Sequence, residues 1–161
     1  MGQGRPQFSS RVSVALLSVW LCTSCALPRI IALDDTLTAE QHNDLGYVYE
    51  KKGIRDLAEK EYLLALKKKE DWHVPYFNLG NLAFMTGDYE RSEEFFRSAL
   101  RYSQNDPDIM NNLANALLMQ RRHQEARRLI EEAIQINRKD EYLDTLRHIR
   151  EQEAGSSENH P

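Results

Sequence analysis

The chain has 161 residues, 41% of them apolar, which suits one modest hydrophobic core and about one domain. Lysine and arginine total 21 against 25 aspartate and glutamate, a formal net charge of -4. No chain-wide basic field is therefore present to hold nucleic acid or an anionic lipid surface.

Charge is uneven along the chain. Residues 1–24 carry Arg5 and Arg11 and no acid, so the remainder is more acidic than the whole. The two arginines precede VSVALLSVWLC, uncharged and mostly apolar from Val12 to Cys22, and the small residues Thr23 and Ser24 come next. This is the layout of a secretory signal peptide over residues 1–24. The uncharged run from Val12 to Pro28 is interrupted by Ser13, Ser18, Thr23 and Ser24, and falls short of the roughly 18 apolar residues of a membrane-spanning helix. Pro6 stands where an N-myristoylation signal needs Ser or Thr, which excludes that modification.

Cys22 and Cys25 are the only cysteines, and they have the C-x-x-C spacing. They lie at the end of an apolar leader with no βαβ pattern around them, so a redox or metal pair is not expected. The stretch resembles a bacterial lipobox: Thr23 and Ser24 precede Cys25, with Cys22 where that motif usually has Leu and Leu21 one place further back. The resemblance implies lipid attachment at Cys25 and a lipoprotein of the bacterial cell envelope, membrane-anchored and facing the periplasm. Cleavage after Ser24-Cys25-Ala26 also fits the small-x-small rule and would instead release a soluble exported chain beginning at Leu27. Either event leaves the mature domain without a cysteine pair.

Residues 25–38 read as a tether, with Ile30, Ile31 and Leu33 able to dock on the first repeat of the domain. From Ala39 the chain divides without a gap into three 34-residue segments, 39–72, 73–106 and 107–140. Position 7 of each is Leu45, Leu79 and Leu113; position 8 is Gly46, Gly80 and Ala114; position 20 is Ala58, Ser92 and Ala126. Position 24 is Tyr62, Phe96 and Ile130, and position 27 is Ala65, Ala99 and Ala133. Small residues thus recur where two antiparallel helices approach closely, and large apolar ones where they interlock. This order at this period resembles the tetratricopeptide repeat (TPR). The resemblance implies an all-α fold of three helix-turn-helix repeats, a short right-handed α-solenoid. The family's usual Pro at position 32 is replaced by Glu70, Gln104 and Arg138, which leaves the exit of each second helix open.

Local signals support six helices. Thr38 with Gln41 forms a capping box, Asp106 precedes Pro107 as N-cap before the first helical residue, and Asp88 comes directly after Gly87. Gly53 and Gly87 supply the left-handed exit from a first helix; Arg121 holds that position in the third repeat and is expected at positive φ. A capping helix over 141–152 places Tyr142, Leu143, Leu146 and Ile149 on one face to cover the last repeat. The polar tail 153–161 is expected to be disordered.

Histidines 42, 73, 123, 148 and 160 lack the spacing of helix-face metal ligands, and no nucleophile elbow, phosphate-cradling glycine loop or Cys-His pair exists in the mature chain. The reading is therefore a non-enzyme without cofactor, metal or small-molecule substrate. Its basic runs, Lys67 to Lys69 and the arginines from Arg121 to Arg128, are expected to close a helix and solvate a turn.

In the resembled family, positions 2, 5, 6, 9, 12 and 13 of each first helix face a concave groove that binds peptides. Here these positions include Asn43, Tyr47, Phe77, Asn78, Asn81, Phe84, Asn111, Asn112, Asn115 and Leu118, with Met85 and Met119 beside them. An amide both donates and accepts, so recurring asparagines can pair with the backbone of an extended segment, while the apolar members take its side chains. The competing expectation is that the asparagines bond neighbouring helices and the apolar residues pack between repeats. Position 5 reads Asn43, Phe77 and Asn111, and position 2 of the third repeat is Asp108, so the Lys and Arg clamp for a C-terminal carboxylate is missing. The resemblance implies a protein or peptide partner, with the chain as a scaffold or adaptor of the envelope. A pilotin-like assembly or targeting factor for a pilus or secretion complex is the alternative.

Overall fold

The computed structural model describes residues 35–157. The leader, Cys25, the tether residues Ile30, Ile31 and Leu33, and residues 158–161 lie outside the described residues. Within them the order is α1 (Ala39–Lys51), α2 (Arg55–Lys68), α3 (His73–Thr86), α4 (Tyr89–Tyr102), α5 (Pro107–Met119), α6 (His123–Ile136) and α7 (Asp140–Ser157). The starts of α1, α3 and α5, and those of α2, α4 and α6, keep to the 34-residue period. Each second helix stops at the same repeat position, Lys68, Tyr102 and Ile136, without the proline.

The local chemistry explains these limits. Thr38 accepts from the Gln41 amide at 3.2 Å and the Gln41 side chain accepts from the Thr38 amide at 2.8 Å, a reciprocal cap. Asp106 accepts from the Asp108 amide at 2.9 Å with Pro107 at the first helical position. Asp88 accepts from the Arg91 amide at 3.2 Å. The first helices exit through Gly53 (φ 72°), Gly87 (φ 81°) and Arg121 (φ 61°), so arginine sits in the left-handed region as expected.

Consecutive helices pack in antiparallel pairs, α1 with α2, α3 with α4 and α5 with α6, and each second helix touches the next first helix. The first helices also touch in series, α1 to α3, α3 to α5 and α5 to α7, forming a continuous inner row. Position 24 fills the inside of each pair: Tyr62, Phe96 and Ile130 are buried, as are the alanines at position 27. Position 8 is small because the ring opposite leaves no room, a Cβ on Gly46 falling 2.6 Å from Tyr62 and one on Gly80 falling 2.5 Å from Phe96. Where Ile130 replaces the ring, alanine stands at 114. Burial, and then the bond Tyr62 donates to Glu50 at 2.7 Å, push the Tyr62 phenol above its ordinary value.

α7 closes the array by burying Tyr142, Thr145, Leu146 and Ile149. It extends beyond the expected end at Gln152: residues 153–157, expected in the tail, are helical, and Arg127 of α6 pairs with Glu153 on the added length. The last four residues of the expected tether also engage the first repeat. His42, 2% exposed, faces Asp35 with Nε2 at 2.8 Å and Glu61 with Nδ1 at 2.7 Å, and Lys68 donates to the Asp35 carbonyl at 2.9 Å. Burial pushes the Asp35 carboxyl up, but hydrogen bonds from His42 and Lys68 outweigh it and hold the group below its usual value. Among the described residues no helix is long and apolar enough to cross a membrane.

Candidate partner-binding groove

The inner row α1, α3, α5 and α7 presents positions 2, 6 and 9 of successive repeats side by side. Their i, i+4, i+7 spacing keeps them on one helical face. On α1 the stripe is Glu40, Asp44 and Tyr47; on α3 it is Val74, Asn78 and Asn81; on α5 it is Asp108, Asn112 and Asn115. No lysine or arginine occupies any of these positions.

Two amide bonds cross between inner helices. Asn78 Nδ2 of α3 donates to Asn43 Oδ1 of α1 at 2.9 Å, and Asn112 Nδ2 of α5 donates to Asn81 Oδ1 of α3 at 3.0 Å. Each leaves at least one donor and one acceptor lobe of the pair unspent. Between α3 and α5 lies a cavity of about 100 Å³ lined by Asn81, Phe84, Phe96, Asn112 and Asn115. Asn115 makes no side-chain hydrogen bond of its own among the described residues. The lining combines amides with aromatic carbon, Phe96 being its one fully buried member, which suits one apolar side chain together with the backbone that carries it.

The structure divides the residues expected in the groove. Asn81, Phe84, Asn112 and Asn115 come together around the cavity, and Tyr47 stands half-exposed on α1 beneath Lys51, whose Nζ lies 5.0 Å from the ring centre. Phe77 is half-buried against Phe96, ring centres 5.9 Å apart, so it packs between helices. Asn43 is buried and Asn78 half-buried, and their mutual bond serves the α1–α3 contact. Besides Phe77 and Asn43, two further residues expected in the groove are taken up elsewhere. Asn111, 1% exposed, is bound by α7, donating to Glu141 at 3.2 Å and accepting from Thr145 at 2.8 Å. Leu118 is buried within the core. Met85 and Met119 remain well exposed at the ends of α3 and α5.

Phe96 was legible only as a core residue, because position 24 gives no sign that its ring edge reaches a cavity on the inner side. The cluster at the α5–α7 end was also not foreseen. Lys139 and the Tyr142 hydroxyl both donate to Asp108 and hold its carboxyl below the usual range, the lysine contributing most. Among the described residues no group of His, Cys, Asp and Glu is arranged to hold a metal ion.

Known proteins share this helical architecture. Residues 83–148 match the tetratricopeptide repeat family model. The first TPR of Spaghetti (RPAP3), solved bound to the HSP90 peptide SRMEEVD, superposes with a TM-score of 0.70 at 19% identity, covering 74% of this chain and 96% of that one. The fold is that of a TPR domain. Similar agreement extends to the N-terminal domain of STI-1 from C. elegans, with a TM-score of 0.64 at 18% identity over 70% of this chain and 94% of that one. The Sgt2 TPR domain from Aspergillus fumigatus gives 0.69 at 15% identity over 76% and 84%. Tetratricopeptide repeat protein 6 of Homo sapiens is 26% identical over 83 residues, 52% of this chain but only 16% of that protein's length. The chain therefore spans about a sixth of the length of the curated relative it matches.

Proposed function

We propose that this TPR domain is a binding module that holds an extended segment of a protein partner along α1, α3, α5 and α7. The carrying observation is the cavity between α3 and α5, where the amides of Asn112 and Asn115 and the rings of Phe84 and Phe96 line one space. An extended backbone needs donors and acceptors along its length, and asparagine supplies both without requiring a particular sequence. Spare capacity beyond the two interhelical bonds separates this reading from one in which the asparagines serve packing alone.

Three of the last four residues of the HSP90 peptide in the Spaghetti complex, SRMEEVD, are acidic. The absence of Lys and Arg from positions 2, 6 and 9 here argues for a different ligand chemistry. We also propose, from residues 12–25 of the sequence, that the module is exported and tethered through a lipid on Cys25 to a bacterial envelope membrane, acting there as a scaffold or adaptor without a reaction of its own. The intact mass of the mature N-terminus tests the tether: an acylated chain beginning at Cys25 is expected, and a bare chain beginning at Leu27 would overturn it. For the groove, partner recovery is compared between wild type and Asn115→Trp, with circular dichroism establishing that both are folded. Loss of the partner from the variant is expected, and equal recovery would contradict the groove.

A further inference from the structure

The cationic groups missing from positions 2, 6 and 9 of the inner row gather elsewhere. Where the turn after α5 meets α6, a cleft of about 1100 Å³ is lined by four arginines, Arg121, Arg122, Arg127 and Arg128, against two carboxylates, Glu125 and Glu153. Both carboxylates are taken. Arg122 donates to Glu125 through Nε at 2.7 Å and through Nη2 at 2.6 Å, and Arg127 pairs with Glu153. Arg121 and Arg128 are exposed, and among the described residues their side chains form no hydrogen bond or ion pair. α6 also begins here without a side-chain cap, which adds the partial positive charge of a helix start.

Arg121 is the informative member. It holds φ 61° at the position that carries Gly53 and Gly87 in the other two repeats, a conformation that disfavours any residue with a Cβ. Glycine would serve the turn at lower cost, and no contact of the guanidinium among the described residues offsets the difference. A strained residue without an internal reward points to a benefit outside the chain.

We infer that this cleft is a second interaction surface, which takes an acidic segment of a protein partner through Arg121 and Arg128. It shares no lining residue with the cavity between α3 and α5 and does not depend on the groove reading. Each guanidinium presents a planar fork of donors that matches a carboxylate, and neither fork is spent on a neighbour. Arg121 stands just before α6 and Arg128 within it, roughly 10 Å further along the axis at about 1.5 Å per residue. A single phosphate spans much less than that. Carboxylates about three residues apart in an extended segment cover it, at roughly 3.3 Å per residue. Charge spread along a chain therefore suits the two arginines better than one compact anion.

The test is fluorescence anisotropy of the full chain with two labelled, end-blocked peptides of serine and glycine, one carrying a central run of glutamates and the other glutamines in their place. The glutamate peptide is expected to bind roughly tenfold tighter at low salt, with the gap closing as salt is raised. Arg121→Gly should weaken it about threefold while the melting temperature rises, so that unfolding cannot account for the loss. Arg121→Gly/Arg128→Gln should bring the glutamate peptide to the level of the glutamine one. Lys60→Gln, which removes an exposed cation of α2, should leave binding unchanged. Equal binding of the two peptides, or wild-type affinity in Arg121→Gly, would overturn the inference. Equal weakening by Lys60→Gln would overturn it by reducing the effect to net charge. Displacement of the peptide by inorganic phosphate, but not by chloride at the same ionic strength, would overturn it in favour of a phosphate site. Should Arg121→Gly be destabilised instead, Arg128→Gln alone decides, with about threefold weakening expected. The groove stands or falls separately, with Asn115→Trp.

Discussion

Gly80 lies so close to the Phe96 ring that a Cβ on Gly80 would stand 2.5 Å from Phe96 Cε1 and 2.6 Å from Cδ1. Phe96 is 1% exposed, packs on Phe77 and forms part of the cavity floor. The same contact therefore ties the α3–α4 pair together and shapes the groove.

Gly80→Ala must push the ring aside. Overpacking of this kind costs about 1–3 kcal/mol, less a gain of up to about 1 kcal/mol from alanine's better helix propensity. Net destabilisation is expected in a denaturant titration. Adding Phe96→Ile, the pairing that Ala114 and Ile130 already show at the same positions, should recover part of the loss. Additive single effects would contradict the contact.

Arg121 adopts φ 61° at the site where Gly53 and Gly87 stand in the other repeats. Arg121→Gly is expected to raise stability by up to about 1 kcal/mol, since glycine reaches the left-handed region without the Cβ penalty. Gly87→Ala should lower it by about 1 kcal/mol or more. The melting temperatures of the two variants should move in opposite directions, and a fall for Arg121→Gly would refute the assignment.

The bond from Asn112 to Asn81 spans adjacent inner helices in a half-buried setting. Each single alanine variant should cost about 1–2 kcal/mol, because the remaining amide loses its partner. A double-mutant cycle should return a coupling of about 0.5–1.5 kcal/mol. Coupling near zero would mean that the two amides act independently.

Acid should loosen two points of the array. The Asp108 carboxyl is lowered by bonds from Lys139 and Tyr142. Glu93 is pushed up by burial but lowered overall by Arg97, Arg122 and Gln120. A carboxyl whose folded value lies below its unfolded one contributes stability above the unfolded value, near 3.8 for Asp and 4.5 for Glu, and loses it as pH falls through the folded value. Stability should thus be flat above about pH 5 and decline below about pH 4. Asp108→Asn should be less stable than wild type at about pH 7, and the difference should shrink with acidification. A constant difference across that range would refute the linkage.

Much of the fold was legible because the repeat writes the same physical requirement three times. Thr38 with Gln41, Asp106 with Pro107, and the Gly53, Gly87, Arg121 series each fix a helix end through local chemistry, which a sequence displays directly. The groove was legible in part. Asn81, Phe84, Asn112 and Asn115 stand where the period placed them, since nothing beyond the period competes for that face. Asn111 does not, because Glu141 and Thr145 of α7 engage its amide, and Leu118 does not, because it joins the hydrophobic core. The capping helix itself was legible from its apolar face, but which α5 side chains it engages depends on how it docks, a tertiary outcome that local sequence does not display. The His42 contacts with Asp35 and Glu61 escaped for a similar reason: His42 and Glu61 are 19 residues apart and meet only once α1 and α2 have paired.

The central claim is that a partner lies against the inner row, and a photo-crosslinking residue placed singly at two positions tests it most directly. One position is Asn115, at the rim of the cavity; the other is Leu63, 44% exposed on α2. In expressing cells, a discrete adduct from position 115 and none from position 63 is the predicted result. Adducts of equal yield from both positions, or from Leu63 alone, would place the partner elsewhere and contradict the account.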